Sequence, residues 1–141
     1  MLAVREHSRL ELRRKLCTRG FEPEDVERLL DELSDQGLLS EERMADAYIA
    51  ERARKGFGPV RIRRELRQRG LPDDIILPLL ARSAREWRDL MRAAHDKRFG
   101  SAPPDDAKER ARRARFLEYR GFPAELIADF LHGAEAGSDT E

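Results

Sequence analysis

One short segment occurs three times in this chain, at intervals of 50 and then 51 residues. Residues 16–21 read LCTRGF, residues 66–71 read LRQRGL and residues 117–122 read LEYRGF. The apolar positions that follow keep the same register, since Val26, Ile76 and Ile127 are separated by the same two intervals. A repeat of this length indicates tandem copies of one small folding unit, which form extended surfaces more readily than enzyme pockets.

Each copy has the pattern of a helix that ends at a glycine and is followed at once by another helix. The glycine adopts the left-handed conformation that a Cβ atom would penalise, and the arginine before it lies at the negative end of the helix dipole. Pro23 and Pro123 follow shortly, where the first turn of a new helix needs no amide donor, and Asp73 and Asp74 supply acidic side chains to such a turn. The pattern therefore predicts a helix, a tight glycine turn and a second helix in each repeat.

Upstream of each pair there is room for one more helix. Ser40 is a good N-cap for a helix that residues 56–59 (GFGP) would end, and Ser8 with Glu11 has the form of a capping box. A further helix is expected over residues 84–99, and no stretch alternates apolar and polar residues as a strand would. We therefore predict an all-α protein of three tandem three-helix repeats that form an elongated, curved array. The expected repeats are 1–39, with its first helix truncated, 40–82 and 83–133, followed by a disordered acidic tail at 134–141.

The composition agrees with several small cores and with an intracellular protein. At 40% charged and 40% hydrophobic residues, the chain is too polar for one large core, whereas three small ones fit this balance. The single cysteine, Cys17, excludes an internal disulfide and suits a reducing compartment. No apolar run approaches twenty residues and no signal-peptide pattern is present, so we expect a cytoplasmic protein without a membrane partner.

The formal net charge is zero, but the charge is segregated along the chain. Residues 52–69 contain eight basic residues and one acid, whereas residues 22–46 contain ten acids and two arginines. Such a molecule can attract a polyanion on one part of its surface while another part repels it, so contact with a polyanion should be one-sided.

Two helices carry most of the basic residues. On the helix that starts at Pro59, Ile62 and Leu66 are expected to point inward, which leaves Arg63 and Arg67 on one exposed face. Arginine forks match phosphate oxygens, so these helices could bind a polyanion or an acidic protein. The alternative is that the arginines keep a polar helix soluble and pair with nearby acids. The candidate binding residues are Arg52, Arg54, Lys55, Arg61, Arg63, Arg64, Arg67, Arg69, Arg110, Arg112, Arg113 and Arg115.

Signatures of enzymes are not found in the sequence. There is no glycine-rich phosphate loop and no nucleophile elbow, Cys17 has no histidine in helical reach, and the three histidines do not form a metal-ligand pattern. We therefore predict no catalytic residue, no metal and no cofactor. Phe57, in the loop before Pro59, has two possible roles: an exposed residue that stacks on single-stranded DNA, or a hydrophobic staple onto the next helix.

The sequence closely resembles the RecX family of bacterial recombination regulators over nearly its whole length. The resemblance lies in residues 5–8 (REHS), 11–16 (ELRRKL), 37–43 (GLLSEER), 47–49 (AYI) and 52–66 (RARKGFGPVRIRREL), and in the third repeat in Trp87, 97–100 (KRFG), 115–117 (RFL) and 120–122 (RGF). It implies a non-enzymatic protein of three tandem three-helix repeats that binds the RecA filament on single-stranded DNA. There the family lies in the filament groove, inhibits ATP hydrolysis and strand exchange, and limits filament growth.

Members of that family usually carry a longer helix before the residues equivalent to 5–8. Either the sequence begins late, its start codon is misassigned, or the first repeat has only two full helices. The last case would expose one side as a dimer surface or a source of marginal stability, although we expect a monomer; the exposed residues would be Leu12, Leu16, Val26 and Leu30. Two alternatives to a filament regulator stay open: a stand-alone DNA-binding helical repeat protein, and a scaffold that joins proteins without nucleic acid. Single-stranded DNA could be bound directly or through the filament.

Overall fold

The computed structural model describes the backbone of residues 7–139 and the side chains of residues 7–132. These residues form α-helices and no β-strand, which confirms the all-α prediction. The helices are α1 (Arg9–Thr18), α2 (Pro23–Asp35), α3 (Glu41–Arg54), α4 (Pro59–Gln68), α5 (Asp73–Leu80), α6 (Ala84–Phe99), α7 (Ala107–Arg120) and α8 (Ala124–Asp139). Within the described residues, no helix is long and apolar enough to cross a membrane.

Helix α1 begins, and helices α1, α4 and α7 end, where the sequence pattern predicts. At the start of α1, the Ser8 hydroxyl accepts a hydrogen bond from the Glu11 amide at 3.1 Å, and the Glu11 carboxylate accepts one from the Ser8 amide at 2.9 Å. These two bonds complete the predicted capping box. At the other end of the repeated unit, Gly20, Gly70 and Gly121 have φ angles of 93°, 94° and 101°, which end the helices α1, α4 and α7.

The chain divides into two compact units, and two of the three borders between them lie inside helices. One unit comprises the described residues up to Ile49 together with Arg63–Leu80, and the other comprises Ala50–Ile62 together with the described residues from Ala81 onward. Helices α3 and α4 therefore each contribute to both units. The expected repeat borders at 39/40 and 82/83 remain predictions, because compactness and repeat length are different criteria.

The first unit has its own small apolar core. Val26 and Leu30 are 1% and 0% exposed and pack with Leu39, while Leu12 and Leu16 are partly buried against them. The truncated first repeat would leave one side of this core exposed. That expectation is wrong for Val26 and Leu30, because Leu39 packs against them and both are buried. The truncated first helix itself would fall on residues 1–6, which lie outside the described residues.

Two further expectations concern α4 and the C-terminal segment. Ile62 and Leu66 are fully buried, as the helical spacing predicts. At the other end, the backbone of α8 continues to Asp139, into the segment 134–141 for which the sequence predicts disorder. The side chains from Gly133 onward, and all of Thr140 and Glu141, lie outside the described residues, so the disorder of this tail stays a prediction.

Helices α1 and α2 are joined by a small network of ion pairs centred on Glu27. Arg13 donates two hydrogen bonds to its carboxylate, at 2.6 and 3.0 Å, and Arg9 donates a third at 3.3 Å. The Arg13 guanidinium, with help from Arg9, lowers the pKa of Glu27 from 4.5 to about 2. The charged carboxylate is thus favoured in the folded chain.

Acid should remove the contribution of Glu27 to stability. Because the folded pKa is depressed, this contribution is present above the ordinary pKa of 4.5 and is lost as the pH falls toward about 2. We expect Glu27→Gln to lower the urea midpoint near neutral pH, and the difference from the wild type to shrink below about pH 4. Glu24→Gln on the same helix, where no described basic residue is in contact, is the control; an unchanged Glu27→Gln difference across this range would contradict the prediction.

Candidate nucleic-acid interface

The N-terminus of α4 packs against the glycine turn that follows α7, inside the second unit. The Gly58 amide donates to the Arg120 carbonyl at 2.8 Å, and the Val60 amide donates to the Gly121 carbonyl at 2.9 Å. A Cβ atom on Gly58 would lie 2.6 Å from the Gly121 carbonyl, and one on Gly121 would lie 2.3 Å from the Arg61 Cβ. We call this contact the α4–α7 joint; only glycine at both positions allows it.

An equivalent joint exists inside the first unit, between the N-terminus of α1 and the turn that follows α4. The Ser8 hydroxyl donates to the Arg69 carbonyl at 2.6 Å, and a Cβ atom on Gly70 would lie 2.5 Å from the Leu10 Cβ. At the spacing of the sequence repeat, Ser8 corresponds to Gly58, and Gly70 corresponds to Gly121. We call this contact the α1–α4 joint. The repeat in the sequence is therefore accompanied by a repeat of the contact between a helix N-terminus and a glycine turn.

The two joints differ in charge at one pair of equivalent positions. In the α1–α4 joint, the Glu11 carboxylate accepts two hydrogen bonds from the Arg69 guanidinium, both at 3.1 Å. In the α4–α7 joint, the residue equivalent to Glu11 is Arg61, and the residue equivalent to Arg69 is Arg120. The first joint is therefore neutralised by an ion pair, whereas the second has arginines at both equivalent positions.

Three arginines at the α4–α7 joint contact the ring of Phe57. The Cζ atoms of Arg52, Arg61 and Arg120 lie 3.8, 4.5 and 4.7 Å from its ring centroid. We call these three arginines the arginine cluster. Because Phe57 is half-buried beneath them, its contacts favour a packing role over that of an exposed stacking residue.

Backbone carbonyls hold two of these guanidiniums in place. Arg61 donates to the carbonyl of Tyr119 at 3.2 Å, and Arg120 donates to the carbonyl of Lys55 at 3.3 Å. Neither bond neutralises a charge. Arg120 contacts no carboxylate among the described residues, so its guanidinium keeps its positive charge in a defined geometry, which suits the binding of phosphate oxygens.

Three of the arginines predicted to bind are engaged with acids from other helices. Arg63 donates to both oxygens of Asp73, at 3.1 and 2.8 Å, and lowers the pKa of that carboxyl. Arg67 lies 3.9 Å from the same carboxylate, and Arg69 is bound by Glu11. The charge count within residues 52–69 could not reveal these ion pairs, because the acidic partners come from α1 and α5. Arg64, in contrast, is exposed and contacts no described carboxylate.

The structure corrects the placement of Arg113, which is 7% exposed and directed into the second unit. Its guanidinium donates to the Ala102 carbonyl at 2.7 Å and to the Glu109 carboxylate at 3.2 Å, and its Nη1 lies 3.3 Å from His95 Nε2. The repeat carries the signal for this position, since Arg113 is equivalent to the buried Ile62. Arg113 therefore supports the fold and is too deeply buried to contact an external ligand.

The remaining predicted residues lie at or near the surface. Arg54 and Lys55 both pair with Glu51, at 3.0 and 3.2 Å, and Arg112 pairs with Glu109 at 3.1 Å. Such exposed pairs exchange readily with solvent and ions. Arg115 is exposed, and Arg110 is half-buried. Two members of the joint, Arg120 and Tyr119, are absent from the predicted binding set; the repeat could have indicated Arg120, because it aligns with Arg69.

Three family models match this chain, and known proteins resemble it over most of its length. The models describe the first, second and third three-helix domains of RecX and match residues 1–33, 40–77 and 86–131. The regulatory protein RecX of Pseudomonas savastanoi pv. phaseolicola is 47% identical over 133 residues, which cover 94% of this chain and 86% of that protein. The regulatory protein RecX of Pseudomonas syringae pv. tomato is 45% identical over the same length and with the same coverage.

Among solved structures, the crystal structure of RecX from Lactobacillus salivarius matches with a TM-score of 0.77 at 17% identity. The match covers 96% of this chain and 90% of that one, and it supports the all-α fold of three-helix domains. Together, the three domain matches and the identity of nearly half with the Pseudomonas proteins confirm the resemblance inferred from the sequence motifs. The chain belongs to the RecX family of regulatory proteins.

Proposed function

We propose that this chain is a non-enzymatic, cytoplasmic regulator of the RecA recombinase. It binds the RecA filament on single-stranded DNA as a monomer, and it inhibits ATP hydrolysis, strand exchange and filament growth. Family membership supports the regulatory role, since the relatives are named regulatory proteins. The observation that carries the binding site is the charge difference between the two joints, because equivalent positions hold an ion pair in one and two cations in the other.

The arginine cluster is suited to a phosphate backbone for two physical reasons. Guanidinium forks pair with phosphate oxygens through two hydrogen bonds, and they keep their charge at any physiological pH. Phe57 and the backbone carbonyls also hold these side chains in place before a ligand arrives. Less conformational entropy is then lost on binding than with mobile side chains.

The other surface arginines have a secondary part in this proposal. Arg54, Lys55, Arg64, Arg110, Arg112 and Arg115 add positive potential that raises the rate of encounter with a polyanion. Arg63, Arg67 and Arg69 are assigned instead to the packing of α1 and α5, since Asp73 and Glu11 engage them. The ten acids within residues 22–46 repel phosphate, which makes the contact one-sided.

Inhibition needs no catalytic group in this mechanism. A filament subunit must change its contacts as it hydrolyses ATP, and a rigid protein bound across such contacts stabilises one arrangement over the other. The regulator shifts the equilibrium only by its difference in affinity for the two arrangements. Blocked growth at a filament end would require far fewer regulators than filament subunits.

The direct test is to titrate the protein into RecA on single-stranded DNA and to follow ATP hydrolysis. We expect inhibition at substoichiometric protein, and stronger inhibition when the protein is added before filament assembly than after it. RecA without DNA provides the background rate. Direct binding to the same DNA at two salt concentrations is measured in parallel, because phosphate contacts make affinity fall steeply with salt.

The same titration separates the alternative functions. Absence of inhibition together with salt-sensitive binding to bare DNA would indicate a stand-alone DNA-binding protein. Absence of both would indicate a scaffold that joins proteins. Either result would overturn the proposed regulation of RecA.

A further inference from the structure

Tyr119 is the most exposed large hydrophobic side chain of the described residues, at 75%. It lies in the last turn of α7, one residue before Arg120 and two before Gly121. Its backbone carbonyl accepts the hydrogen bond from Arg61, so the α4–α7 joint fixes the position of the ring's attachment. The exposed ring of Tyr119 lies on a helix near Arg61 and Arg120. This combination suits a ligand that is both flat and anionic.

The ring continues a series of stacked cation and aromatic groups. The Arg61 Cζ lies 4.5 Å from the ring centroid of Phe57 and 5.2 Å from that of Tyr119. Arg52 contacts Phe57 at 3.8 Å, so the series contains Arg52, Phe57, Arg61 and Tyr119. Phe57 is half-buried within this series, whereas Tyr119 is mostly exposed at its other end. The exposed ring can therefore accept one more planar group.

The chemistry around Tyr119 favours a nucleobase over an apolar partner. A hydrophobic protein surface would have to bury Arg61 and Arg120 with it, at the cost of desolvating two charges. A nucleotide offers a flat base for the ring and a phosphate for the guanidiniums at the same time, which is how proteins that bind single strands combine stacking with charge. Bases within a duplex already stack on one another, so the base must be unpaired.

We propose that Tyr119 stacks on an unpaired nucleobase while Arg61 and Arg120 bind the adjoining phosphates. This inference deepens the proposed function and rests on it in one respect, that single-stranded DNA is the polyanion bound. It assigns direct contact with the DNA strand to the α4–α7 joint. The base is held by ring stacking, which tolerates any sequence.

The test uses the full chain and two fluorescent oligonucleotides of equal length, an oligo-dT and an abasic strand with the same phosphates. Tyr119→Ala should weaken binding to oligo-dT by roughly 5-fold to 150-fold, the range for loss of one stacked base. It should leave binding to the abasic strand unchanged within about twofold, since the phosphate contacts remain. Tyr119→Phe, which keeps the ring, should bind both strands like the wild type.

Phe21→Ala is the matched control, because Phe21 is 56% exposed and follows the equivalent glycine turn of the first repeat. No arginine is found over its ring among the described contacts, and we expect no change on either strand. A second readout, which does not depend on an alanine variant, is the fluorescence of 2-aminopurine in the oligonucleotide. Stacking quenches this base, so the wild type and Tyr119→Phe should quench it.

The outcomes separate this inference from the proposed function. Equal losses on oligo-dT and on the abasic strand, or no loss on either, would overturn stacking by Tyr119; so would a wild type that leaves 2-aminopurine unquenched. If the wild type inhibits RecA but shows one of these results, only the stacking inference fails. If it does not inhibit RecA but Tyr119→Ala weakens binding to oligo-dT alone, the RecA role fails and the stacking site stands.

Discussion

Gly121→Ala is expected to destabilise the second unit by about 3 kcal/mol or more. Two effects contribute, and both follow from the geometry of the α4–α7 joint. The φ angle of 101° costs an alanine roughly 1–2 kcal/mol, because its Cβ meets the backbone. The new Cβ would also lie 2.3 Å from the Arg61 Cβ and 2.7 Å from the Arg61 amide nitrogen, so the joint must open. Opening breaks the two backbone hydrogen bonds of Gly58 and Val60.

Gly20→Ala provides a matched control for this prediction. Gly20 stands in the same Arg-Gly-Phe sequence, and its φ angle of 93° is almost the same. No described atom lies within 4 Å of a Cβ at that position. We therefore expect this variant to lose only the conformational part, about 1–2 kcal/mol. The difference between the two variants isolates the energy of the joint.

Thermal unfolding measures the loss of stability, and amide hydrogen exchange measures the opening of the α4–α7 joint. In Gly121→Ala, the amides of Gly58 and Val60 should lose protection, since their acceptors move away. In Gly20→Ala they should keep it. Equal destabilisation by the two variants, with protection retained at Gly58 and Val60, would mean that the joint contributes nothing measurable.

Arg61→Glu is expected to weaken binding to single-stranded DNA by roughly 10-fold to 100-fold at low salt. The substitution gives the α4–α7 joint the charges of the α1–α4 joint, in which Glu11 neutralises Arg69. It removes one cation and places a carboxylate beside Arg120, so about two phosphate contacts are lost. The slope of log affinity against log salt should fall by about 1 to 2. The chain should still fold, because an equivalent ion pair is already stable in the first unit.

Arg14→Glu is the control for net charge. Arg14 is exposed on α1 in the first unit, and the substitution changes the formal charge by the same amount. We expect its affinity for DNA and its inhibition of RecA to stay within about threefold of the wild type, because Arg14 is not part of the arginine cluster. If both variants weaken binding equally, net charge and not the arginine cluster determines affinity.

Much of the fold could be predicted from the sequence, because its main signals are local. The capping box at Ser8 and the glycine turns depend on residues within one helical turn, so the printed order of residues is enough to place them. The buried positions of Ile62 and Leu66 follow from helical spacing in the same way.

The candidate site could be predicted only in part, because it depends on contacts between distant residues. Arg63 and Asp73 lie on different helices, and no count of charges within residues 52–69 reveals their ion pair. Arg120 reaches Phe57 only through the α4–α7 joint, which the sequence does not predict. Arg113 is the exception, since aligning it with Ile62 would have placed it in the core.

In both joints, the contacts that pack the helices together are distinct from the charged side chains proposed to bind a ligand. Glycine and backbone carbonyls form the mechanical part, and they are common to both joints apart from the hydroxyl of Ser8. The charge depends on a single side chain, Glu11 in one joint and Arg61 in the other. In the proposed mechanism, one substitution per repeat would change the affinity of the array for a polyanion without changing its architecture. For a designer of helical repeats, this makes strength of binding an adjustable property of a fixed scaffold.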